Sequence, residues 1–284
     1  MEKITYKSAG GTVVMGGGAD AHINLIEKSG FGLPSKRYDE IKFVGEHGVT
    51  TTGSSDFPRT LTITGDLYGG QAEIRQMLEA FYHDGDLYCD FGPDMRRKIS
   101  CKLLNADDII NHCKSGINTF TLQFQADYPY YNDFEDTVVS LSSYKNHVTE
   151  TFELPCVFTE LIQQGSAYNY GNKQCYGVIT LTSAYEPTVE NGVITVSNLT
   201  TGKSIHLNHT IQKGETVEID LNTRRIVSSV SGRITNAITD DTEMSDFYLE
   251  LGLNKISFHT NDTLQPMTAT LRYNNIYLVA VDAI

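Results

Sequence analysis

Short apolar runs separated by glycine and polar clusters recur along the chain roughly every ten residues, a spacing typical of all-β sandwiches and barrels. The clearest alternation runs from Thr119 to Ala126, where Phe120 and every second residue after it is apolar. A period of two predicts a half-buried strand. The extended run Lys98–Cys113 and the glycine within Lys114–Asn118 predict a long hairpin leading into this strand. Shorter strands are predicted at Ile41–Val44, Thr60–Thr64 and Leu87–Phe91.

One segment, Gln71–His83, has helical spacing instead. It places apolar residues at i, i+3, i+4, i+7 and i+8, which are Ile74, Met77, Leu78, Phe81 and Tyr82. This stripe predicts an amphipathic helix that begins after Gly69-Gly70 and ends at Asp84-Gly85. No other segment has a comparable period, so we predict a mainly β protein with one helix.

The alternation ends within Ala126–Asp136, where Pro129 interrupts and charged and aromatic residues crowd together. A second series of strands follows, with turn signals that predict a jelly-roll β-sandwich. The predicted hairpins are Val178–Thr182 with Val193–Ser197, Thr216–Leu221 with Arg224–Ser229, Asp246–Leu251 with Lys255–Thr260, and Thr268–Tyr273 with Ile276–Val281. We therefore predict a glycine-rich N-terminal arm over 1–20, one domain over 21–134 and a second over 135–284.

The charge balance limits the classes of partner. The chain has 22 Lys+Arg and 35 Asp+Glu, a net charge of −13, which argues against a protein that clamps DNA phosphates. The sequence has no stretch of 18 apolar residues and no signal-peptide layout, so we expect synthesis in the cytoplasm and no membrane insertion. Its five cysteines are an odd number without a C-x-x-C pair, so neither a disulfide framework nor a zinc ribbon is expected.

No motif predicts an enzyme. The glycine clusters near the N-terminus lack G-K-[ST], and His206 and His209 are three apart in or beside a strand, where such residues point to opposite faces. Carboxylates that a glycosidase could use are, by position alone, Glu153, Glu160, Glu186, Asp220, Asp240 and Asp241. Without tryptophan, a sugar site would have to stack on Tyr128, Tyr130, Tyr131, Tyr168 or Tyr170. We expect no catalytic residue, no cofactor and no metal.

Four segments of the second half have a recognisable order and spacing, with a G-x-N turn at Gly252–Asn254: Tyr168–Ser183, Gly192–Leu207, Lys213–Gly232 and Phe247–Asp262. Through these segments the second half resembles the distal tail protein of long-tailed bacteriophages and prophages, also called the tail hub or siphovirus tail component. The first half is also similar, in Gly65–Tyr82 and in Phe124–Asp133 at the domain junction. The similarity covers roughly 20–280, whereas the first twenty residues do not follow the pattern.

The resemblance implies a structural protein of the virion tail tip, assembled in the host cytoplasm. Family members form a six-fold ring from a β-sandwich or barrel-like N-terminal domain and carry a galectin-like C-terminal sandwich. The ring joins the tail-tube protein to the tail-associated protein and to receptor-binding or baseplate proteins, and DNA passes through its lumen. A carbohydrate-binding adhesin of the tail tip is the alternative function. A polysaccharide-degrading tail enzyme and a major tail-tube protein are further competing classes.

The densest basic cluster, Arg96-Arg97-Lys98, lies at the start of the predicted long hairpin. A projecting hairpin can reach a neighbour in a ring, and acidic patches are plentiful in this chain. We therefore predict a ring interface at these three residues. Changing all three to Glu is expected to leave a folded monomer and weaken the ring.

Overall fold

Strands dominate the computed structural model of the chain, which describes residues 2–19, 21–45, 47–68, 71–93, 95–105, 117–146, 159–189, 192–261 and 267–281. Within these residues the first half contains one α-helix, α1 (Gln71–Tyr82). Its strands are β1 (Lys3–Ser8), β2 (Gly11–Gly16), β3 (Ile23–Ser29), β4 (Lys36–Ile41), β5 (Thr50–Asp56), β6 (Arg59–Tyr68), β7 (Gly85–Asp90), β8 (Arg96–Asn105), β9 (Ile117–Ala126) and β10 (Tyr131–Asp133). None of the described helices has the length and apolar character needed to span a membrane.

The second half adds thirteen further strands within the described residues. They are β11 (Thr137–Ser140), β12 (Ser143–Asn146), β13 (Thr159–Ile162), β14 (Gln164–Asn169), β15 (Gly177–Ser183), β16 (Val193–Asn198), β17 (Lys203–Asn208), β18 (Thr216–Asp220), β19 (Arg225–Ser228), β20 (Gly232–Arg233), β21 (Gly252–Thr260), β22 (Met267–Tyr273) and β23 (Ile276–Tyr277). Two 3-10 turns lie at Thr235–Ala237 and Met244–Asp246.

A closed seven-stranded barrel forms the centre of the first half, in the order β8-β7-β1-β2-β3-β6-β9. The ring closes because β8 pairs with β9 as well as with β7. Strands β10 and β23 extend the sheet beyond β8. The alternation predicted for β9 is confirmed, since Phe120, Leu122 and Phe124 are buried on one face. The long hairpin of β8 and β9 is confirmed as a pair, whereas its predicted end at Cys113 and turn at Lys114–Asn118 lie largely outside the described residues.

The helix packs an aromatic cluster against the barrel. The rings of Tyr6, Phe81 and Phe124 lie with centroids between 5.2 and 5.8 Å apart, arrangements that aromatic side chains favour. Ile74 and Met77 are buried beside them, so the predicted stripe is confirmed over most of its length. Tyr82, the last residue of the stripe, is 86% exposed because the helix ends there.

The first residues are part of the barrel, so the expectation of an N-terminal arm over 1–20 is wrong for the strands β1 and β2. Ile4, Tyr6, Val13 and Met15 are buried in the core. The glycines between the strands permit close packing on α1: a Cβ at Gly10 would lie 2.2 Å from the Glu79 carbonyl oxygen. The apolar alternation within these glycine clusters was the signal for strands.

Two sheets form the sandwich of the second half, as expected for a galectin-like domain, and β12 and β13 pair in a separate two-stranded sheet. The larger has the order β11-β22-β15-β18-β19-β20 and the smaller β14-β21-β16-β17. The predicted hairpin of Thr216–Leu221 with Arg224–Ser229 is confirmed as the β18–β19 pair. The residues that face inward from the two sheets, including Ile179, Val196 and Ile219, are buried.

Three predicted hairpins are wrong, because strands of a sandwich often pair across long sequence separations. Strand β15 pairs with β18 and β22, whereas β16 pairs with β17 and β21 in the other sheet. Residues 246–251 form no strand, and Gly252 instead begins β21. Strand β23 neighbours β10 rather than β22. The predicted strand Ile41–Val44 is also wrong, since β4 ends at Ile41.

Contacts divide the chain into two compact units, one of Met1–Phe134 with Tyr277–Ile284 and one of Glu135–Ile276. The last residues therefore return to the first unit, where Tyr277 and Ala280 join the barrel core. That return separates Tyr277–Ile284 from the rest of 135–284. Independent folding of the two parts stays a prediction.

A buried carboxylate organises the second unit. Glu215 is 1% exposed and accepts hydrogen bonds from the Gln212 amide at 2.7 Å, from His209 Nε2 at 2.8 Å and from the Ser228 hydroxyl. Burial alone would raise the pKa of Glu215, but these hydrogen bonds to the charged form outweigh it and hold the pKa below its usual value. The carboxylate thus ties the 209–215 loop to β19.

We expect Glu215→Gln to lower the free energy of unfolding by about 1–3 kcal/mol at pH 7, because buried donors lose a charged acceptor. The lowered pKa means that this stabilisation is present above the ordinary carboxyl pKa of 4.5 and is lost as the pH falls through the folded-state value. Urea unfolding at pH 7, 5.5, 4 and 3 would measure it. A constant difference between the two proteins from pH 7 to pH 3 would contradict the role assigned to the carboxylate.

Candidate assembly interface

The predicted interface residues lie at the start of β8, but they do not share a face. Successive side chains of a strand point to opposite sides, and Arg97 falls on the same side as buried Ile99 and Cys101. Arg96 and Lys98 point the other way. Arg96 Nε lies 3.1 Å from Asp90 Oδ2, and Lys98 Nζ donates to the Phe134 carbonyl at 3.1 Å.

Arg97 is a buried structural residue, only 3% exposed. Its guanidinium carbon lies 3.8 Å from the ring centroid of Tyr277, and Nη1 donates to the Val279 carbonyl at 2.6 Å. Both contacts hold the C-terminal segment against the barrel. The prediction that Arg97 belongs to an exposed basic surface is therefore wrong. Changing all three residues to Glu would place a carboxylate beside buried backbone carbonyls, so a folded monomer is no longer expected. A ring contact through Arg96 and Lys98 stays a prediction.

A different element projects from the first unit: the hairpin of β4 and β5, here called the 36–56 arm. Among the residues that the structure describes, the two strands pair only with each other, from Lys36 opposite Asp56 to Ile41 opposite Thr50. Every residue of β4 is exposed. Large apolar side chains that remain at least 46% exposed on the arm are Tyr38, Ile41, Phe43, Val44 and Val49. The polar strands show no alternation of burial, which is why the sequence pattern did not predict this arm.

The base of the arm is held in place. The Phe57 amide donates to the Ser35 carbonyl at 2.8 Å, and the Tyr130 hydroxyl donates to Asp56 Oδ2 at 2.5 Å. A β-bulge between Asp39 and Glu40 bends the arm, and the Thr52 hydroxyl donates to the Asp39 carbonyl. A two-stranded ribbon with two unpaired edges and exposed apolar side chains is a surface that natural proteins protect by pairing or covering it.

A cleft of about 570 Å³ lies over the barrel strands β1, β7 and β8. Three of its charged groups are engaged: Lys102 Nζ contacts Asp127 Oδ2 at 2.8 Å, and the Ser100 hydroxyl donates to Asp86. Burial, with the nearby Asp86 carboxylate adding to it, raises the pKa of the Cys101 thiol to about 12. That thiol is therefore protonated at neutral pH and is not an activated nucleophile.

Both histidines and two of the carboxylates singled out in the sequence, Asp220 and Asp241, have structural partners. His206 Nε2 lies 3.9 Å from Asp241 Oδ2, whereas His209 contacts Glu215. Asp220 accepts from the Asn222 and Thr223 amides, which closes the β18–β19 turn and lowers its pKa despite partial burial. Across the described residues, no group of three or more His, Cys, Asp or Glu side chains is placed to hold a metal ion. Glu153 lies outside the described residues.

The tyrosines suggested for sugar stacking separate into different environments. Tyr131 is fully buried, and Tyr130 is bonded to Asp56. Tyr168 and Tyr170 are exposed, and their ring centroids lie 4.3 Å apart. Of the predicted set, this pair retains substantial exposed aromatic surface on the second unit.

Comparison with known proteins finds a family similarity in the second half of the chain. Residues 171–277 match the family model described as the siphovirus-type tail component, C-terminal domain. This region is similar to the C-terminal domain of the siphovirus-type tail component. No curated protein matches the chain in sequence.

Solved structures extend the similarity to the whole fold. The crystal structure of the Dit protein of phage SPP1, described as a paradigm of the hub adsorption apparatus in phages infecting Gram-positive bacteria, matches with a TM-score of 0.63 and 14% sequence identity over 98% of this chain and 100% of that one. The phage P2 baseplate in its activated conformation with Ca contains a chain that matches with a TM-score of 0.54 and 8% identity, over 97% and 98% of the two chains. The Sr form of that baseplate gives 0.52 and 8%, over 96% and 98%. The resemblance to the distal tail protein is confirmed, and the chain has the Dit hub fold.

We expect Arg97→Met to lower the free energy of unfolding by about 2–4 kcal/mol, because it removes a charge-assisted hydrogen bond and a stacked guanidinium. The neighbouring Arg96→Met is the matched control and should cost at most about 1 kcal/mol, as for an exposed ion pair. Thermal unfolding monitored by circular dichroism would compare the two. Equal losses for both variants would show that Arg97 does not hold the C-terminal segment.

Proposed function

We propose that this protein is a structural hub of a phage tail tip. It forms a ring that joins the tail-tube protein to the tail-associated protein and to receptor-binding or baseplate proteins. The hub fold and the tail component domain support this role. The observation that carries ring formation is the 36–56 arm, whose apolar side chains and strand edges have no covering element among the described residues of the chain.

The arm suits a head-to-tail contact. A closed ring needs each subunit to present one surface that fits a different surface of its neighbour. An arm anchored at its base and exposed along both strands can lie on the next barrel and pair its backbone there. Six copies follow from the family resemblance. In this proposal 21–134 makes the ring, together with the first strands, and 135–276 faces the receptor-binding or baseplate proteins.

The negative charge of the chain supports a ring through which DNA passes rather than a protein that binds DNA. Residues 1–134 hold 13 basic and 18 acidic side chains, so the ring-forming part is acidic. A lumen of that balance would not retain a passing phosphate backbone. We propose that the protein is assembled in the host cytoplasm and then lies in the virion tail tip, where its role is structural rather than enzymatic.

We expect the double variant Ile41→Asp, Val44→Asp to remain folded and to weaken the ring at least 100-fold. Burying a large aliphatic side chain contributes about 1.5–3 kcal/mol, and each factor of ten in the dissociation constant corresponds to about 1.4 kcal/mol. Native mass spectrometry would distinguish single chains of 31.5 kDa from the ring.

Val230→Asp is the matched control, since Val230 is 68% exposed on the other unit. Its ring should be unaffected. A ring of unchanged stability in the arm variant would remove the arm from the interface. If the wild-type chain stays monomeric alone and is also absent from purified tail particles, the hub function itself is wrong.

A further inference from the structure

Five large apolar side chains remain exposed together on the outer face of the β14-β21-β16-β17 sheet. They are between 44% and 70% exposed, and together we call them the tyrosine–leucine platform: Tyr168, Tyr170, Leu199, Leu251 and Leu253. Monomeric soluble proteins seldom keep contiguous apolar groups of this kind exposed without a binding role. The cluster lies within or directly beside the tail component domain.

The strand register shows that the platform is contiguous. Tyr168 lies directly opposite Leu253 in the β14–β21 pair, and both point away from the sandwich core because Ala167 and Asn254 are buried. On the other side of β21, the Leu199 amide donates to the Lys255 carbonyl at 2.8 Å. Leu199 therefore lies opposite Lys255, so that Leu253 has Tyr168 directly beside it on one strand and Leu199 as a diagonal neighbour on the other. Tyr170 packs on Tyr168, and Leu251 precedes the turn that leads to Leu253.

Buried asparagines fix two of the loops that carry the platform. Asn254 accepts from the Glu250 amide at 2.9 Å and donates to the Glu250 and Gly252 carbonyls, which shapes the turn around Leu251. Asn198 accepts from the Thr200 amide and donates to Asn254 and to the Tyr248 carbonyl, which holds Leu199. Both asparagines are fully buried.

The loop after β14, which carries Tyr170, is held by the same kind of side-chain to backbone hydrogen bond. Asn169 donates to the Lys173 and Leu249 carbonyls, and its oxygen accepts from the Gly171 amide at 2.8 Å. The Tyr170 amide donates to the side chain of Asn275 at 3.1 Å. Satisfied buried polar networks give loops one conformation. The exposed apolar groups are thus presented by rigid backbone, an arrangement that lowers the ordering cost of binding.

We propose that the platform docks a different protein of the tail tip, one with an apolar contact surface and a neutral or basic surround. This inference rests on the proposed hub function. Three of the five side chains are leucines, and the tyrosine rings partly cover each other, so the platform suits apolar protein side chains better than a sugar ring, which needs an open aromatic face. Residues 135–284 carry 9 basic and 17 acidic side chains, so this part of the chain is acidic overall and two copies of it repel each other.

Hydroxyl-radical labelling read by mass spectrometry tests this placement. The samples are the purified full chain, the ring of this chain alone and purified tail particles, with Val230 as the reference side chain. We expect labelling of Tyr170 and Leu253 to fall at least fivefold in particles, relative to Val230, and to be the same in the ring and the free chain. Unchanged labelling in particles that contain the chain overturns the docking surface and leaves the hub function standing. A fall already present in the ring alone identifies a second copy as occupant and overturns the proposal.

A pair of variants tests the partner. The double variant Tyr170→Ser, Leu253→Asp should enter tail particles normally, while another tail protein falls at least tenfold in stoichiometry. Val230→Asp should retain all tail proteins. Retention of every tail protein by the platform variant contradicts the proposal. Saturable binding of purified host cell-wall polysaccharide to the free chain, lost in the same variant, would assign the platform to a glycan instead. Circular dichroism of both variants confirms that they fold.

Discussion

Two buried arginines hold the C-terminal segment of the chain against the barrel of the first unit. Arg59 is 4% exposed and donates to the carbonyls of Gly30, Gly32, Pro129 and Leu278 and to the Tyr131 hydroxyl. A guanidinium keeps its charge in proteins, so its burial is tolerated only where oxygen atoms surround it. Together with Arg97 it holds the segment after Tyr277 on the barrel. A chain that leaves the first unit at Phe134 must therefore return to it, and residues 135–276 are an insertion in the sequence of that unit.

Buried polar contacts of this kind also fix the backbone that carries exposed apolar side chains. Gly30, whose φ is +85° and whose absent Cβ would lie 2.1 Å from the Thr60 carbonyl, lets the loop before the 36–56 arm approach Arg59 closely. The arm therefore departs from a fixed point although its own strands bury almost nothing. The same contrast occurs in the second unit, where buried asparagines support exposed leucines and tyrosines. In both places a rigid polar scaffold holds apolar groups that the chain itself leaves uncovered.

Local periodicity predicted the elements that bury a face of their own, such as α1 and β9. The period of two along β8 also predicts that Arg97 shares a face with Ile99 and Cys101. The run of three basic residues indicates a surface cluster instead, and that indication is wrong for Arg97. Strand pairing in the sandwich was less predictable. Turn residues at Asn274-Asn275 suggested a local hairpin, whereas the partners of β22 are distant in sequence. The arm was not predicted because its strands bury no face within the described residues and so carry no alternation of apolar and polar positions.

The motif that carried the resemblance has a physical meaning in this structure. Asn198 and Asn254 are buried and hydrogen-bond to backbone groups, whereas Leu253, within the Gly252–Asn254 turn, points outward. Such residues specify how the loops are shaped and leave the outward side chains unconstrained by the fold. Chains with the same scaffold can then present different outer residues to different partners, which is compatible with a shared fold at 14% sequence identity. In the proposed docking role, the choice of partner depends on side chains such as Tyr170 and Leu253. The scaffold fixes where these side chains lie but does not require their identity.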